Sequence, residues 1–260
     1  MKKQAFSLVE LSIVLVILGL LTGGILAGQS LIHAAELRAI TTEYNRYYSA
    51  MNAFRDKYFQ LPGDMNNAVS FWGAADGSTG NTAACATTQG TGTQTCNGNG
   101  DNQILASTAS EERTRFWQHL ANAGLIEGNY TGILSSGNMV GGTNVPPSKL
   151  GGAAAWGISC LGNVTGSAYL PDGSYGNAFN FVTRPAAMGA ISPPDVWNID
   201  SKMDDGKPVT GKLRASWGTP YSTATPATAC TTAATSADTT ATYNLSDNNK
   251  DCAVWIVTGF

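Results

Sequence analysis

Between Leu11 and Ala35 the chain carries no acidic or basic side chain, and His33 is the one titratable group in that run. A helix rises about 1.5 Å per residue and needs about 20 apolar residues to cross the hydrocarbon core of a bilayer, so the run is long enough to span it. Lys2 and Lys3 stand ahead of it, and Glu10 sits at its threshold. Positive charge before a span holds that side in the cytoplasm, which puts the large, weakly charged remainder on the exported side. A secretory signal peptide begins the same way and is cut after a small residue, here near Ala27. Two features oppose that reading. A carboxylate at the mouth of an apolar segment is costly and usually has a task, and the helical pattern does not stop where the apolar run ends.

From Leu37 onward the apolar residues fall at Leu37, Ile40, Tyr44, Tyr47, Met51, Phe54 and Tyr58, in alternating steps of three and four. That is a seam along one side of a helix. Arg38, Glu43, Asn45, Arg46, Ser49, Arg55, Asp56 and Lys57 fill the other sides. One helix is therefore expected from about Phe6 to Phe59. Its first part, 6–35, is apolar all round; its second, 36–59, is amphipathic and should lie on a globular body formed by 60–260. Pro62-Gly63 ends it, because proline cannot continue the hydrogen-bond ladder.

The run Ala5-Phe6-Ser7-Leu8-Val9-Glu10-Leu11 resembles the cleavage and methylation motif of type IV pilins and type II secretion pseudopilins. The resemblance implies that residues 1–5 are a leader, that a prepilin peptidase cuts between Ala5 and Phe6, and that the new Phe6 amine is methylated. It implies that Glu10 pairs with a neighbouring subunit's N-terminal amine during assembly. A charge partner across a helix interface offsets the desolvation of such a carboxylate and fixes register. It further implies an α+β, pilin-like fold: a long N-terminal helix packed on an antiparallel β-sheet domain with short extra helices and loops. The partners implied are other pilin or pseudopilin subunits, the peptidase, an inner-membrane assembly platform, and the membrane itself before assembly. The implied destination is the inner membrane, with the body in the periplasm, and then an external pilus or a periplasmic pseudopilus. The chain departs from the family in two places. Ala5 precedes the cut where glycine is usual, and Gly19, Gly23, Gly24 and Gly28 occur in a span where many pilins carry a proline. Each glycine weakens a helix by up to about 1 kcal/mol against alanine.

Without Lys2 and Lys3 the chain has 13 basic and 18 acidic residues, a net of −5, which argues against a nucleic-acid groove made by charge excess. Five cysteines follow the span, with no CxxC pair and only two histidines, so a zinc site is not expected. In an oxidising compartment sequence neighbours pair, Cys85 with Cys96 and Cys230 with Cys252. Cys160, in an apolar stretch, is then a buried free thiol, although five cysteines allow other pairings.

The low-complexity stretch after Trp72 contains Asn97-Gly-Asn99-Gly-Asp101-Asn-Gln103. Oxygen side chains at alternate positions with intervening glycines resemble the front half of a calcium loop, with Asn97, Asn99, Asp101 and Gln103 as ligands. The match is partial, since Thr108 stands twelve along where an acid is needed, and Glu111 or Glu112 would have to fold back. The same residues also suit a plain Asn/Gly turn, and both readings stand. Asp200, Asp204 and Asp205 form a second acidic group, read either as a cation site or as a solvated helix end.

Other elements are expected as follows. Asp64 caps a short helix to Trp72. A helix over 108–124 has a Thr108–Glu111 capping box, an apolar face of Phe116, Trp117, Leu120 and Ala121, and Gly124 as its stop. His119 is expected exposed or partly packed on it. Strands are expected at Ala153–Leu161, Ser167–Leu170, Ala178–Val182 and Cys252–Val257, and a helix starts at Ser192 before two prolines. Residues 219–242 read as an irregular surface loop. Trp156, Trp217 and Trp255 are expected in the core. No Walker loop, HExxH or GxSxG motif occurs, so an enzyme is not expected. The competing class is a membrane-anchored or secreted surface-binding protein, such as a calcium-dependent adhesin, that never polymerises.

Overall fold

A computed structural model describes residues 8–105, 111–150, 154–167, 170–182, 191–216, 230–233, 235–250 and 252–260. Ala5, Phe6, Thr108, Trp217 and residues 219–229 lie outside them.

Helix α1 runs unbroken from Leu8 to Tyr58. It stops where Phe59 turns into the left-handed region (φ 58°) ahead of Pro62. After it come α2 (Val69–Trp72), a 3-10 turn (Ala83–Ala86), α3 (Glu112–Asn122), β1 (Ala155–Cys160), β2 (Asn163–Val164), β3 (Gly173–Ser174), β4 (Asn177–Val182), α4 (Pro193–Met203), β5 (Leu213–Ala215) and β6 (Val254–Val257). Strands β1, β4, β6 and β5 form one antiparallel sheet in that order, and β2 with β3 make a separate two-stranded ribbon. The layout is α+β, with one long helix laid across an antiparallel sheet.

Register explains which face the helix covers. Ile158 lies opposite Phe179, Phe179 opposite Ile256, and Ile256 opposite Leu213. Side chains alternate across a strand, so these four stand in one row across the sheet, and all are buried. Six of the seven seam residues of α1, from Leu37 to Phe54, are buried in the same core as this layer, Phe54 against Trp72 and His119, and Tyr58 is half-buried. Aromatic rings close the junction of α1, α3 and the sheet. Tyr47 meets Trp117 at 5.0 Å and Trp156 at 5.5 Å between centroids, while Phe179 meets Tyr44, Phe116, Trp117 and Trp156. Edge-to-face pairs of this kind add to simple area burial.

Several sequence expectations are corrected. Asp64 does not cap α2, which starts only at Val69 after Ala68, because its carboxylate turns inward to a loop described below. Glu111 sits before α3 without a side-chain cap bond and instead accepts from Arg113 Nε at 2.6 Å. Ser167 and Leu170 are not in a strand; Leu170 N–H folds back to Ser167 Oγ, and the ribbon forms from Asn163–Val164 and Gly173–Ser174. Cys160 is free but half-buried rather than buried, with Sγ 3.7 Å from Gln103 Oε1. Trp156 is buried, whereas Trp255 is half-buried, because it belongs to the opposite row with Asn180 and Arg214.

Phe179 is fully buried among four aromatic rings, so Phe179→Ala should cost about 3–5 kcal/mol. Urea unfolding of the detergent-solubilised full chain, followed by tryptophan fluorescence, measures it. A loss below about 1 kcal/mol, the scale of a mild core trim, contradicts the three-way packing.

Candidate functional site

The site is α1 itself together with the elements that grip its second half. In the first half, every large apolar residue from Leu8 to Ile32 is exposed. Two of its hydroxyls are satisfied within the helix: Ser12 Oγ donates to Val9 O, and Thr22 Oγ1 to Leu18 O and Gly19 O. A side chain placed at Gly19, Gly23, Gly24 or Gly28 would meet nothing within 4 Å, so these glycines leave flat patches of helix surface. Glu10 lies in the first turn of this half, on its exposed surface. By length and composition the segment fits a single-pass membrane anchor, and helices stripped of lipid have this same surface to offer one another.

The grip on the second half includes a polar device that periodicity did not reveal. Glu43, on α1, accepts the Trp156 indole N–H at 2.8 Å, the Ser148 hydroxyl at 3.1 Å and the Lys149 amide at 3.2 Å. One carboxylate thus ties the helix to β1 and the loop before it. Charge-assisted bonds of this kind are stronger than neutral ones.

A second network fixes the end of α1. Its chain reversal brings Gly63 (φ 83°) beneath α3, where a Cβ would lie 2.4 Å from Glu112 O. Only glycine fits there. Gly63 N–H donates to His119 Nδ1 at 2.9 Å, which leaves the neutral ring's proton on Nε2, 3.0 Å from Thr95 Oγ1. Thr95 Oγ1 donates to Gln118 Oε1, which also accepts from Arg115 Nη1 at 2.8 Å. Arg115 reaches on to Cys85 O and Thr88 O. His119 is therefore fully buried, not exposed or partly packed. Burial, with Arg115 close by, pushes its pKa down to about 3. Arg115, which is also buried, is pushed down to about 10 by desolvation.

Disulfides join Cys85 to Cys96 and Cys230 to Cys252. The first closes the glycine- and threonine-rich loop that Arg115 holds from inside. The second fastens the segment after residue 229 to the approach to β6.

Each of the four residues read as calcium ligands has a partner within the chain, and Asn99 Nδ2 also donates to Asp101 Oδ2 at 2.9 Å. Asn97 Oδ1 accepts from Val69 N–H, Asn99 Oδ1 from Asp101 N–H, and Asp101 Oδ1 from Gln103 N–H, while Gln103 Oε1 faces Cys160 Sγ. On its inner side the loop presents amides. Gly100 and Asp101 donate to Asp64 Oδ1 and Asn102 donates to Asp64 Oδ2, at 2.7 to 3.1 Å. Glu112 clamps the same loop, accepting from Asn99 N–H and Leu105 N–H, and burial raises its pKa to about 7. Around Asp64 the loop acts as an anion cradle filled from within the chain.

Asp200, Asp204 and Asp205 do come together, with a carboxylate oxygen of each within 4.8 Å of the others. Asp204 accepts from the amides of Lys212 and Leu213, and Asp205 from Lys207 N–H and Thr210 Oγ1, which folds the turn into β5. Asp200 departs from a solvated helix end. It is fully buried, its Oδ2 accepts from Tyr243 Oη at 2.8 Å, and burial raises its pKa to about 6.

With this geometry in place, comparison with known proteins gives one finding. A family model described as the prokaryotic N-terminal methylation motif matches residues 1–26. This is the signal motif of type IV pilins and pseudopilins, so the chain carries the N-terminus of a pilin-type precursor. It covers the leader, Glu10 and most of the apolar half of α1, and none of the body. No curated protein and no solved structure matches the chain.

The histidine network carries a pH prediction. His119 has a folded pKa of about 3 against 6.5 unfolded, so the unfolded chain takes up the proton first. The His119 contribution to stability should therefore fall, by up to about 1.4 kcal/mol per pH unit, as pH drops from 6.5 toward 3, while the raised Glu112 and Asp200 act in the opposite sense with or without His119. His119→Gln removes this slope. Denaturant titrations of both chains from pH 8 to pH 4 should show their difference shrinking with acidity, and parallel curves contradict the buried neutral ring.

Proposed function

We propose that the protein is a structural subunit, not an enzyme, of a type IV pilus or type II secretion pseudopilus. On this reading a prepilin peptidase cuts between Ala5 and Phe6 and methylates the Phe6 amine. The apolar half of α1 holds the precursor in the inner membrane, with the sheet domain in the periplasm. An assembly platform then transfers the helix from lipid into a bundle of like helices, and Glu10 pairs with the neighbouring subunit's N-terminal amine to set the register.

The observation that carries the reading is the continuity of α1 from Leu8 to Tyr58, with its first half apolar and uncovered and its second half packed into the body. A cleaved signal peptide has no reason to share a helix with the domain it delivers. The methylation motif over residues 1–26 supplies the expected processing.

Intact-mass analysis of the chain co-expressed with a prepilin peptidase tests the first step. The expected product begins at Phe6 and carries one added methyl group. A product cut near Ala27, or an uncut chain that still functions, overturns it. Glu10→Ala tests the second step: membrane insertion should persist while filaments are lost, because an unmade charge pair forfeits register (roughly 3–5 kcal/mol for a partner left buried alone). Filaments from that variant at the normal level, seen by electron microscopy, contradict the role given to Glu10 and favour a non-polymerising anchored protein.

A further inference from the structure

The apolar run begins at Leu11, and about 20 residues cross the hydrocarbon core, so the turn around His33 falls at head-group depth. At that turn the body comes down to meet the helix. His33 Nε2 lies 2.8 Å from Asp195 Oδ1 on the first turn of α4, and Asp195 Oδ2 accepts the Ser192 hydroxyl at 2.6 Å. Helix α4 is thereby held at the level where α1 leaves the membrane. Two residues on, Trp197 is 44% exposed, although a large aromatic is ordinarily buried in a body of this kind. Tryptophan at head-group depth is the usual membrane-interface anchor, because its ring is apolar and its N–H polar.

Beside Trp197, a groove of about 300 Å³ opens between α1 and α4. Buried Leu37 and Ile199 line it, together with exposed Arg38 and Lys202 and the half-buried Asn198. Among the described residues no carboxylate lines it. The nearest acid along α1, Glu36, faces His33 at 3.9 Å, and Asp195 is engaged by His33 and Ser192. Among the described residues neither cation has a carboxylate within ion-pair distance.

We propose that this groove binds the head group of an anionic glycerophospholipid in the leaflet from which α1 emerges. Arg38 and Lys202 take the phosphodiester, the glycerol backbone lies over Leu37 and Ile199, and Trp197 dips into the interface beside it. Phosphatidylglycerol carries the net negative charge that Arg38 and Lys202 select, whereas phosphatidylcholine has a phosphate but no net charge. The site seats the body on the membrane surface in one orientation before assembly. It rests on α1 being a membrane anchor and is independent of polymerisation.

The test uses the full chain. Incorporation into phosphatidylcholine nanodiscs first reads the anchor alone, and a chain that stays out of the discs removes both readings together. Native mass spectrometry of the detergent-solubilised chain, titrated with phosphatidylglycerol, phosphatidylcholine or inorganic phosphate, then reads the groove. Preferential retention of phosphatidylglycerol is expected, falling about fivefold for each charge removed in Arg38→Gln and Lys202→Gln. Both residues are exposed, so an unchanged unfolding midpoint shows that the variants fold. In discs containing phosphatidylglycerol, quenching by head-group nitroxide lipid should drop when Trp197→Phe removes the interfacial ring. Equal retention of the two lipids, retention unchanged in the double variant, or displacement of the lipid by inorganic phosphate at comparable concentration each overturns the proposal, the last by showing a free-anion site.

Discussion

The burial of one helix seam on one sheet row is the interaction on which the rest of this molecule depends. Leu37 through Phe54 share one core with Ile158, Phe179, Ile256 and Leu213, with Tyr44 on Phe179, Tyr47 on Trp156 and α3 and α4 closing the sides. Each large apolar side chain so buried contributes about 1.5–3 kcal/mol before entropy is counted, and the aromatic pairs add a smaller directional term. Because α1 is continuous, this packing also fixes where the uncovered half points. The body cannot shift its grip along the helix without moving the apolar half relative to the membrane.

Polar groups determine the register of that grip where apolar packing alone would permit sliding. Glu43 ties mid-helix to Trp156, and Gly63 ties the chain just past the helix end to His119. From His119 the bonds continue through Thr95 and Gln118 to Arg115 and the Cys85–Cys96 loop. Buried networks are costly unless satisfied and specific when they are. This one holds a glycine-rich loop that has little apolar content of its own.

The parts legible in the sequence were those written as short-range pattern. The seam of α1 was readable because steps of three and four have only one helical meaning. Its end was readable from Pro62, and the main strands from their β-branched and aromatic runs. The methylation motif pointed to the N-terminus directly. The polar grip was not legible, because its members meet only in three dimensions. His119 and Gly63 are 56 positions apart, and Glu43 and Trp156 are 113 apart. Asp64 looks like a helix cap by its local context, yet it is drawn into the loop at 100–102 by amides about 36 to 38 positions away. The alternate oxygens of that loop suggested a cation cradle from residue type alone. Sequence shows which side chains carry oxygen, but not which way the intervening amides face.

The functional reading joins these layers. On the proposed function, a domain that grips half a helix tightly while leaving the other half apolar and bare hands that half from lipid to a bundle of like helices. Disulfide trapping in the living cell tests this most directly. In a Cys160→Ser background, Leu18→Cys or Ile25→Cys places a single thiol on the exposed half of α1. With the assembly machinery present, oxidation should join neighbouring copies through these positions, and the joining should vanish without prepilin peptidase. Monomers alone, with the chain processed and the machinery active, would contradict a helix that passes from lipid into a bundle of its own kind.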